Sequence, residues 1–367
     1  PDHVIRTKNM PLLGRDVDAY SEAYQAYFQR NADQATGGEK LSMLDPSPRL
    51  VLDPELGLLS AGRAAGDCAI ANAIAEHTMD VVKRTEALGG YEPVGEHDLF
   101  LMEYWELEQA KLKGQGKSPA FAGEIALVTG SASGIGKACV EAFRSRGAAV
   151  AGIDLDSVEG APDYLSLVAD VTDPTAVEEA LALTVDSFGG LDMLILNAGL
   201  FPPTQRLDEI DDESWSKTIA VNLDANQRLL RLCYPLLKLS PNGGRVVVVG
   251  SKNVPAPGPG AAAYSASKAA MTQLARVAAL EWANDGIRVN VLHPNSVFDT
   301  NLWANGILEK RAEAYDMTVD QYKRRNLLQT EVFSSDVAEA AAEFCGPRFA
   351  KTTGAQLPVD GGEDRVV

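Results

Sequence analysis

The sequence predicts an α/β fold in which a doubly wound parallel seven-stranded sheet is preceded by a smaller, mostly helical segment. Three observations predict it. The apolar run Ile125–Val128 leads through Gly130, Gly134 and Gly136 into a helical run, Lys137–Arg146, and then into Val150–Ile153 and Asp154, the order of elements that opens a βαβ unit. From residue 121 to the end, apolar runs alternate with helix-length stretches, a pattern that builds a parallel sheet through crossover helices. Ahead of it, Gly114-Gln-Gly-Lys-Ser-Pro-Ala120 has the composition of a linker. The chain divides accordingly into residues 1–113, a linker at 114–121 and a domain at 122–367.

In the first part, Arg15–Arg30 has helical periodicity, and Arg49–Leu52 and Leu56–Ser60 read as short strands about a Pro-Glu-Leu-Gly turn. Ala64–Leu88 reads as a long amphipathic helix stopped by Gly89 and Gly90. One further helix is expected over Glu96–Lys113, with Trp105 and its apolar neighbours packing on another surface. In the second part the expected strands are Ile125–Val128, Ala149–Ile153, Tyr164–Ala169, Met193–Leu196, Arg245–Val249, Arg288–Leu292 and Ala355–Pro358. Asp173-Pro174 offers a cap and first position for a helix ending at Gly189.

Size and charge narrow the partners. A chain of 367 residues can bury a full core and suggests two domains. The net charge of −18 argues against non-specific nucleic-acid binding and against anionic membrane surfaces, which leaves small molecules. Cys68, Cys139, Cys233 and Cys345 are scattered, so neither a disulfide framework nor a zinc knuckle is indicated, and free thiols in a reducing compartment are expected. No apolar run approaches the roughly 20 residues of a membrane span, and no signal-peptide pattern precedes the first polar stretch, so a cytoplasmic location is expected. The chain opens on Pro1 rather than methionine, which reads as processing or as a piece of something longer.

The turn carries the first chemistry. Glycines at Gly130, Gly134 and Gly136 let backbone approach a pyrophosphate, and the N–H groups at the helix start, beside Ser133 and Ile135, favour its charge. A dinucleotide is the expected guest. Asp154 ends the next strand, where a carboxylate can bond the adenosine ribose hydroxyls. A phosphate of about two negative charges, roughly 4 Å from it at an effective dielectric of ~20, is repelled by several kcal/mol. NAD is therefore expected over NADP, and Asp156 adds to the repulsion.

Tyr264-Ser-Ala-Ser-Lys268 lies in an Ala-rich helical run, so Tyr264 and Lys268 share one helix face at i, i+4. Tyrosine titrates at about 10, and acid/base work near neutrality needs it lower by about 3 pH units, roughly 4 kcal/mol. The Lys268 ammonium and the positive nicotinamide are expected to supply that. Taken singly, such a pair is an ordinary helix-surface pair and the glycine turn an ordinary turn.

Together, Thr129-Gly-Ser-Ala-Ser-Gly-Ile-Gly136 and Tyr264-x-x-x-Lys268 resemble the short-chain dehydrogenase/reductase family, over residues 122–367. The resemblance implies a Rossmann fold and an oxidoreductase. It implies adenine contacts at Asp170 and Val171, a turn at Asn197-Ala198-Gly199, and nicotinamide contacts at Pro294 and Val297. It also implies catalytic roles for Ser251, which binds the substrate oxygen, and Asn222, which holds a proton-relay water. Assembly as a homodimer or homotetramer follows from the same likeness. The sequence departs from the family pattern at Leu196, at Pro294-Asn295 in place of Pro-Gly, and at Thr300, one residue late. Residues 296 to about 328 are expected to form a mobile lid without a dense basic cluster, which favours a small uncharged alcohol or aldehyde.

The first part, with Pro1-Asp-His-Val-Ile-Arg-Thr-Lys8 and Glu103-Tyr-Trp-Glu-Leu-Glu-Gln-Ala-Lys-Leu112, resembles the end of the aldolase half of the bifunctional rhamnulose-1-phosphate aldolase/short-chain dehydrogenase family. It reads as a remnant of a class II aldolase domain. His3, His77, His97 and His293 include no His-x-His pair, so no metal site and no aldolase activity are expected of these residues. The likeness implies lactaldehyde as the dehydrogenase substrate, reduced to propanediol or oxidised to lactate through its hydrate. The competing readings are a non-catalytic NAD-binding scaffold and part of a bifunctional aldolase whose aldolase site is missing.

Overall fold

The computed structural model describes residues 2–32, 41–113, 118–304 and 306–362, so residues 114–117 of the expected linker lie outside the described residues. The chain forms two compact units, Pro1–Pro119 and Ala120–Val367.

The first unit runs α1 (Asp2–Thr7), β1 (Leu12–Leu13), α2 (Val17–Ala32), β2 (Leu50–Asp53), β3 (Gly57–Ser60), α3 (Ala65–Glu86), α4 (Glu96–Glu103) and α5 (Glu106–Lys113). The β2–β3 hairpin turns where the Asp53 carboxylate accepts the Glu55 and Leu56 N–H groups at 2.8 and 2.9 Å, a local device that Asp offers a turn. The Arg15 guanidinium bonds the same carboxylate and holds it well below the usual range. β1 pairs parallel with β2, Leu12 opposite Val51; two residues are too few to announce a strand in sequence.

The single helix expected over Glu96–Lys113 is two helices, broken at Tyr104-Trp105. Tyr104 stacks on Phe100 with ring centroids 4.4 Å apart. Its hydroxyl lies 3.1 Å from the Tyr24 hydroxyl and accepts the Leu44 N–H at 3.2 Å. These contacts offset the helical bonds lost at the break. Beside it, buried Glu103 accepts the Tyr24 hydroxyl at 2.7 Å and faces Lys8 Nζ at 3.6 Å. The aromatic core is Tyr24, Tyr27, Phe100 and Tyr104, whereas Trp105 is 48% exposed.

The second unit runs β4 (Ile125–Thr129), α6 (Gly134–Ser145), β5 (Ala149–Asp154), β6 (Tyr164–Val168), α7 (Pro174–Phe188), β7 (Met193–Leu196), α8 (Asp212–Ile219), α9 (Ala225–Lys238), β8 (Arg245–Val249), α10 (Ala262–Trp282), β9 (Arg288–Pro294), α11 (Ile307–Ala314), α12 (Val319–Lys323), α13 (Ser334–Cys345) and β10 (Gln356–Val359). All seven strands are parallel in the order β10-β9-β8-β7-β4-β5-β6. Strand side chains alternate between two faces. Leu127, Ala151 and Leu194 enter one core with Val177 of α7, Leu229 of α9 and Met271 of α10. Ala126, Val128 and Ile195 enter the other with Phe143 of α6 and Val337 of α13. Both faces are covered, which is why these strands read as continuous apolar runs.

Asp173 caps α7 by accepting the Thr175 and Ala176 N–H groups, Pro174 follows, and Gly189 ends the helix at φ 92°. Between α8 and α9 the backbone passes through a π-helical segment, Ala220–Asp224. All four cysteines are free, Cys68 half-buried and the other three buried. Among the described residues, no helix is long and apolar enough to cross a membrane.

Candidate active site

The strand order reverses between β4 and β7, and ligands of open α/β sheets bind at the carboxyl ends of the strands beside such a reversal. Asn197 and Thr129 stitch the two strands there. Asn197 Nδ2 donates to the Thr129 and Gly130 carbonyls at 2.9 and 3.2 Å, and the Asn197 and Ala198 N–H groups both reach Thr129 Oγ1 at 3.0 Å. The turn after β4 admits no side chain at Gly136, where a Cβ would stand 1.8 Å from the Gly130 oxygen. Ser133 caps α6 without a side-chain bond, so the first N–H groups of α6, at Gly134, Ile135 and Gly136, have no intrahelical acceptor. Asp154 is locked at the end of β5, its two oxygens accepting the Ala132 and Asp156 N–H groups at 2.9 and 3.1 Å.

On the other side of the reversal, α10 brings Tyr264 and Lys268 to one face. Lys268 Nζ donates to the Val249 carbonyl at 2.8 Å, and burial pushes its ammonium down to about 8. An added Cβ on Gly199 would lie 3.4 Å from both Lys268 Nζ and Asn222 Oδ1, so the three meet at one point. Burial pushes the half-buried Tyr264 phenol up, and the nearby Ser251 hydroxyl pulls it down. The Phe201 ring covers Tyr264 at 4.7 Å between centroids. An ammonium has three N–H donors, and Lys268 gives one of them to Val249. That surplus in a buried site, with the glycine turn and the locked Asp154 carboxylate, fits the paired hydroxyls and pyrophosphate of a nicotinamide dinucleotide.

Several expectations change. Lys268 Nζ is turned to Val249, 5.8 Å from the Tyr264 ring centroid, and in the cofactor-free chain the phenol is shifted by its burial and by Ser251. The Asn222 side chain is spent on protein, its amide donating to the Leu200 carbonyl and Ser267 Oγ at 2.9 and 3.0 Å and accepting the Leu200 N–H at 2.7 Å. Asn222 thus braces the loop after β7 at Leu200. The Asp170 carboxylate folds onto Thr172, while Val171 and Val297 pack into the two cores. Pro294 accepts the Lys252 N–H at 3.0 Å. The residue that delays Thr300 is absorbed at Ser296, left-handed at φ 52°.

The segment expected as a mobile lid is built from short helices around an aromatic cluster. Phe298 meets Trp303 at 5.1 Å and Trp303 meets Tyr322 at 6.0 Å, and the Arg325 guanidinium lies 4.5 Å over Tyr322. The Gly362 and Gly361 carbonyls accept the Leu327 and Leu328 N–H groups at 2.9 and 3.0 Å. Sequence reasoning passed over the Phe201 ring on Tyr264 and the buried Lys252–Asp360 ion pair at 3.1 Å; a lysine three residues past the end of an apolar strand was the available signal. Among the described residues, no three His, Cys, Asp or Glu side chains gather as metal ligands.

A nucleotide turn at the reversal of a parallel sheet, facing a tyrosine–lysine pair, defines an oxidoreductase of the Rossmann class. Residues 130–363 match the family described as enoyl-(acyl carrier protein) reductase, and residues 1–112 match the second domain of class II aldolases. The chain belongs to the short-chain dehydrogenase/reductase family, with an aldolase-type segment ahead of the dehydrogenase domain. It is 32% identical to an uncharacterized oxidoreductase, YuxG, of Bacillus subtilis over 99% of this chain, and spans 57% of that relative's length. Cis-4-hydroxycyclohexanecarboxylate dehydrogenase of Sinomonas cyclohexanicum is 36% identical over 66% of this chain and 97% of its own. The crystal structure of 3-ketoacyl-(acyl-carrier-protein) reductase from Brucella melitensis complexed with NADH superposes with a TM-score of 0.57 at 26% identity, covering 65% of this chain and 98% of that one.

Proposed function

We propose that the chain is an NAD-dependent dehydrogenase/reductase acting on a small uncharged alcohol or aldehyde, with lactaldehyde the first candidate. The observation that carries this is the Ser251–Tyr264 contact one helical turn from buried Lys268. When bound, the nicotinamide supplies the hydride acceptor in oxidation or the hydride donor in reduction. Ser251 holds the substrate oxygen by its hydroxyl, and Tyr264 takes the proton from that oxygen in oxidation or returns it in reduction. Lys268 offers its remaining N–H groups to the ribose hydroxyls. The amide of Asn222 fixes Leu200, and with it the wall that carries Phe201.

Asp154 supports NAD over NADP, since a carboxylate at the end of β5 would repel a 2′-phosphate bound beside it, and the NADH carried by the Brucella relative agrees. An uncharged substrate is supported by the occupied cations at 323–325. Lys323 and Arg324 pair with Glu331 at 3.0 and 3.6 Å, and Arg325 stacks on Tyr315 and Tyr322. The aldolase-type segment supports lactaldehyde as an aldol cleavage product. Family likeness supports a homodimer or homotetramer joined through α8–α9 and α10, where Val277 and Leu280 are exposed.

NADH absorbance tests the reading, with lactaldehyde, its diol and sugar-derived alcohols assayed in both directions. Tyr264→Phe is expected to cut kcat by about 10³-fold while cofactor binding persists. Full turnover in Tyr264→Phe overturns the assignment, and silence of the native chain across the panel with NAD still bound favours a binding scaffold.

A further inference from the structure

His293 has no part in the chemistry above, yet its imidazole, 3% exposed, lies directly beneath Ser251. The β8–β9 ladder pairs residues only as far as Val249 opposite Leu292. Beyond it the Gly250 N–H reaches the Leu292 carbonyl at 2.7 Å and the Lys252 N–H reaches the Pro294 carbonyl at 3.0 Å, so the backbone bonds to β9 fall on either side of Ser251. The His293 ring packs against Gly250, where a Cβ would stand 2.8 Å from Nδ1. Nδ1 lies 3.2 Å from the Ser251 N–H nitrogen and 3.0 Å from the Ser251 carbonyl, and Nε2 lies 3.0 Å from Gln356 Oε1. One nitrogen cannot accept from the amide and donate to the carbonyl together. With Nε2–H donating to Gln356, Nδ1 keeps its lone pair and accepts the Ser251 N–H. An imidazole thus takes up the Ser251 N–H, which the backbone bonds of Gly250 and Lys252 to β9 leave without a ladder partner, at the residue whose hydroxyl acts on Tyr264.

Resting on the function proposed above, we infer that His293 is a positioning residue: its Nε2–H tautomer, oriented by Gln356, sets the backbone of Ser251 and so the place of the Ser251 hydroxyl. The bond to Gln356 spans from β9 to β10, so the end of the sheet acts as a fixed support for residue 251.

Three variants of the full chain separate this role from mere packing. In His293→Asn the carboxamide oxygen falls near the place of Nδ1; in His293→Gln it falls near that of Nε2; His293→Leu has neither. Misplacement of a reacting group by ~1 Å costs about 100-fold, so His293→Leu is expected to lose about that in kcat, with KM changed by less than about 3-fold. His293→Asn is expected to recover kcat to within about 10-fold of native, and His293→Gln to resemble Leu. A second readout needs no substrate: ultraviolet titration of Tyr264, taken as the difference from Tyr264→Phe, moves to higher pH in the Leu and Gln variants and stays in place in Asn, because the Ser251 hydroxyl that lowers the phenol is displaced only in the former. Unchanged kcat and titration in His293→Leu, or equal recovery by Gln and Asn, overturns the inference. If the native chain turns over nothing, the functional reading fails and the titration alone decides this one.

Discussion

Lys268 shows what a single residue contributes and costs. Burial lowers its ammonium to about 8 from 10.5, so between those values the unfolded chain binds more protons than the folded one, and stability rises with pH across that window. Below it, the charged buried lysine is a penalty of about 3 kcal/mol in the cofactor-free chain. Lys268→Met is expected to unfold at higher denaturant at neutral pH and to lose the rise between pH 8 and 10.5, as urea titrations at several pH values will show. A native curve parallel to the variant's at all pH would refute it. The i, i+4 spacing announced that Tyr264 and Lys268 share a face; only the fold revealed that the lysine turns to Val249 and is desolvated there. Asn222 was legible as a site residue by likeness, but its bonds to Leu200 and Ser267 depend on chain distant in sequence.

At the scale of elements, α7 was readable from both ends, because its Asp-Pro start and glycine stop are local chemistry. Asp173→Ala is expected to cost about 1 kcal/mol, measurable as a lower denaturation midpoint with unchanged slope; an unchanged midpoint would show that the cap carries no weight. The central strands β4, β5, β7 and β8 were legible for a similar reason: they are buried on both faces and so are largely apolar. The break between α4 and α5 was not. Residues 96–113 keep helical periodicity through Tyr104, and it is Tyr24 and Leu44, brought up from elsewhere, that hold Tyr104 at the break. The π-helical segment at Ala220–Asp224 is equally silent in sequence, since the side chains on either side suit an α-helix as well.

For the whole molecule, the proposed assembly makes a prediction of its own. Leu280 on α10 is 81% exposed, and sedimentation is expected to find a dimer or tetramer that Leu280→Arg shifts toward smaller species; a native monomer would overturn that proposal. The sequence by itself determined the division into an aldolase-like segment and a dehydrogenase domain, the alternation of strands and helices, and the residues at each strand end. These rest on period, local turn chemistry and motif spacing, which act over a few residues. Tertiary structure alone decided what those residues touch. It turned Lys268 to Val249, spent Asn222 on Leu200, folded Asp170 onto its own loop, packed Val171 and Val297 into the cores, and set His293 beneath Ser251. Burial and hydrogen-bond partners come from segments tens of residues apart, and no local pattern encodes which distant atom will satisfy a buried polar group.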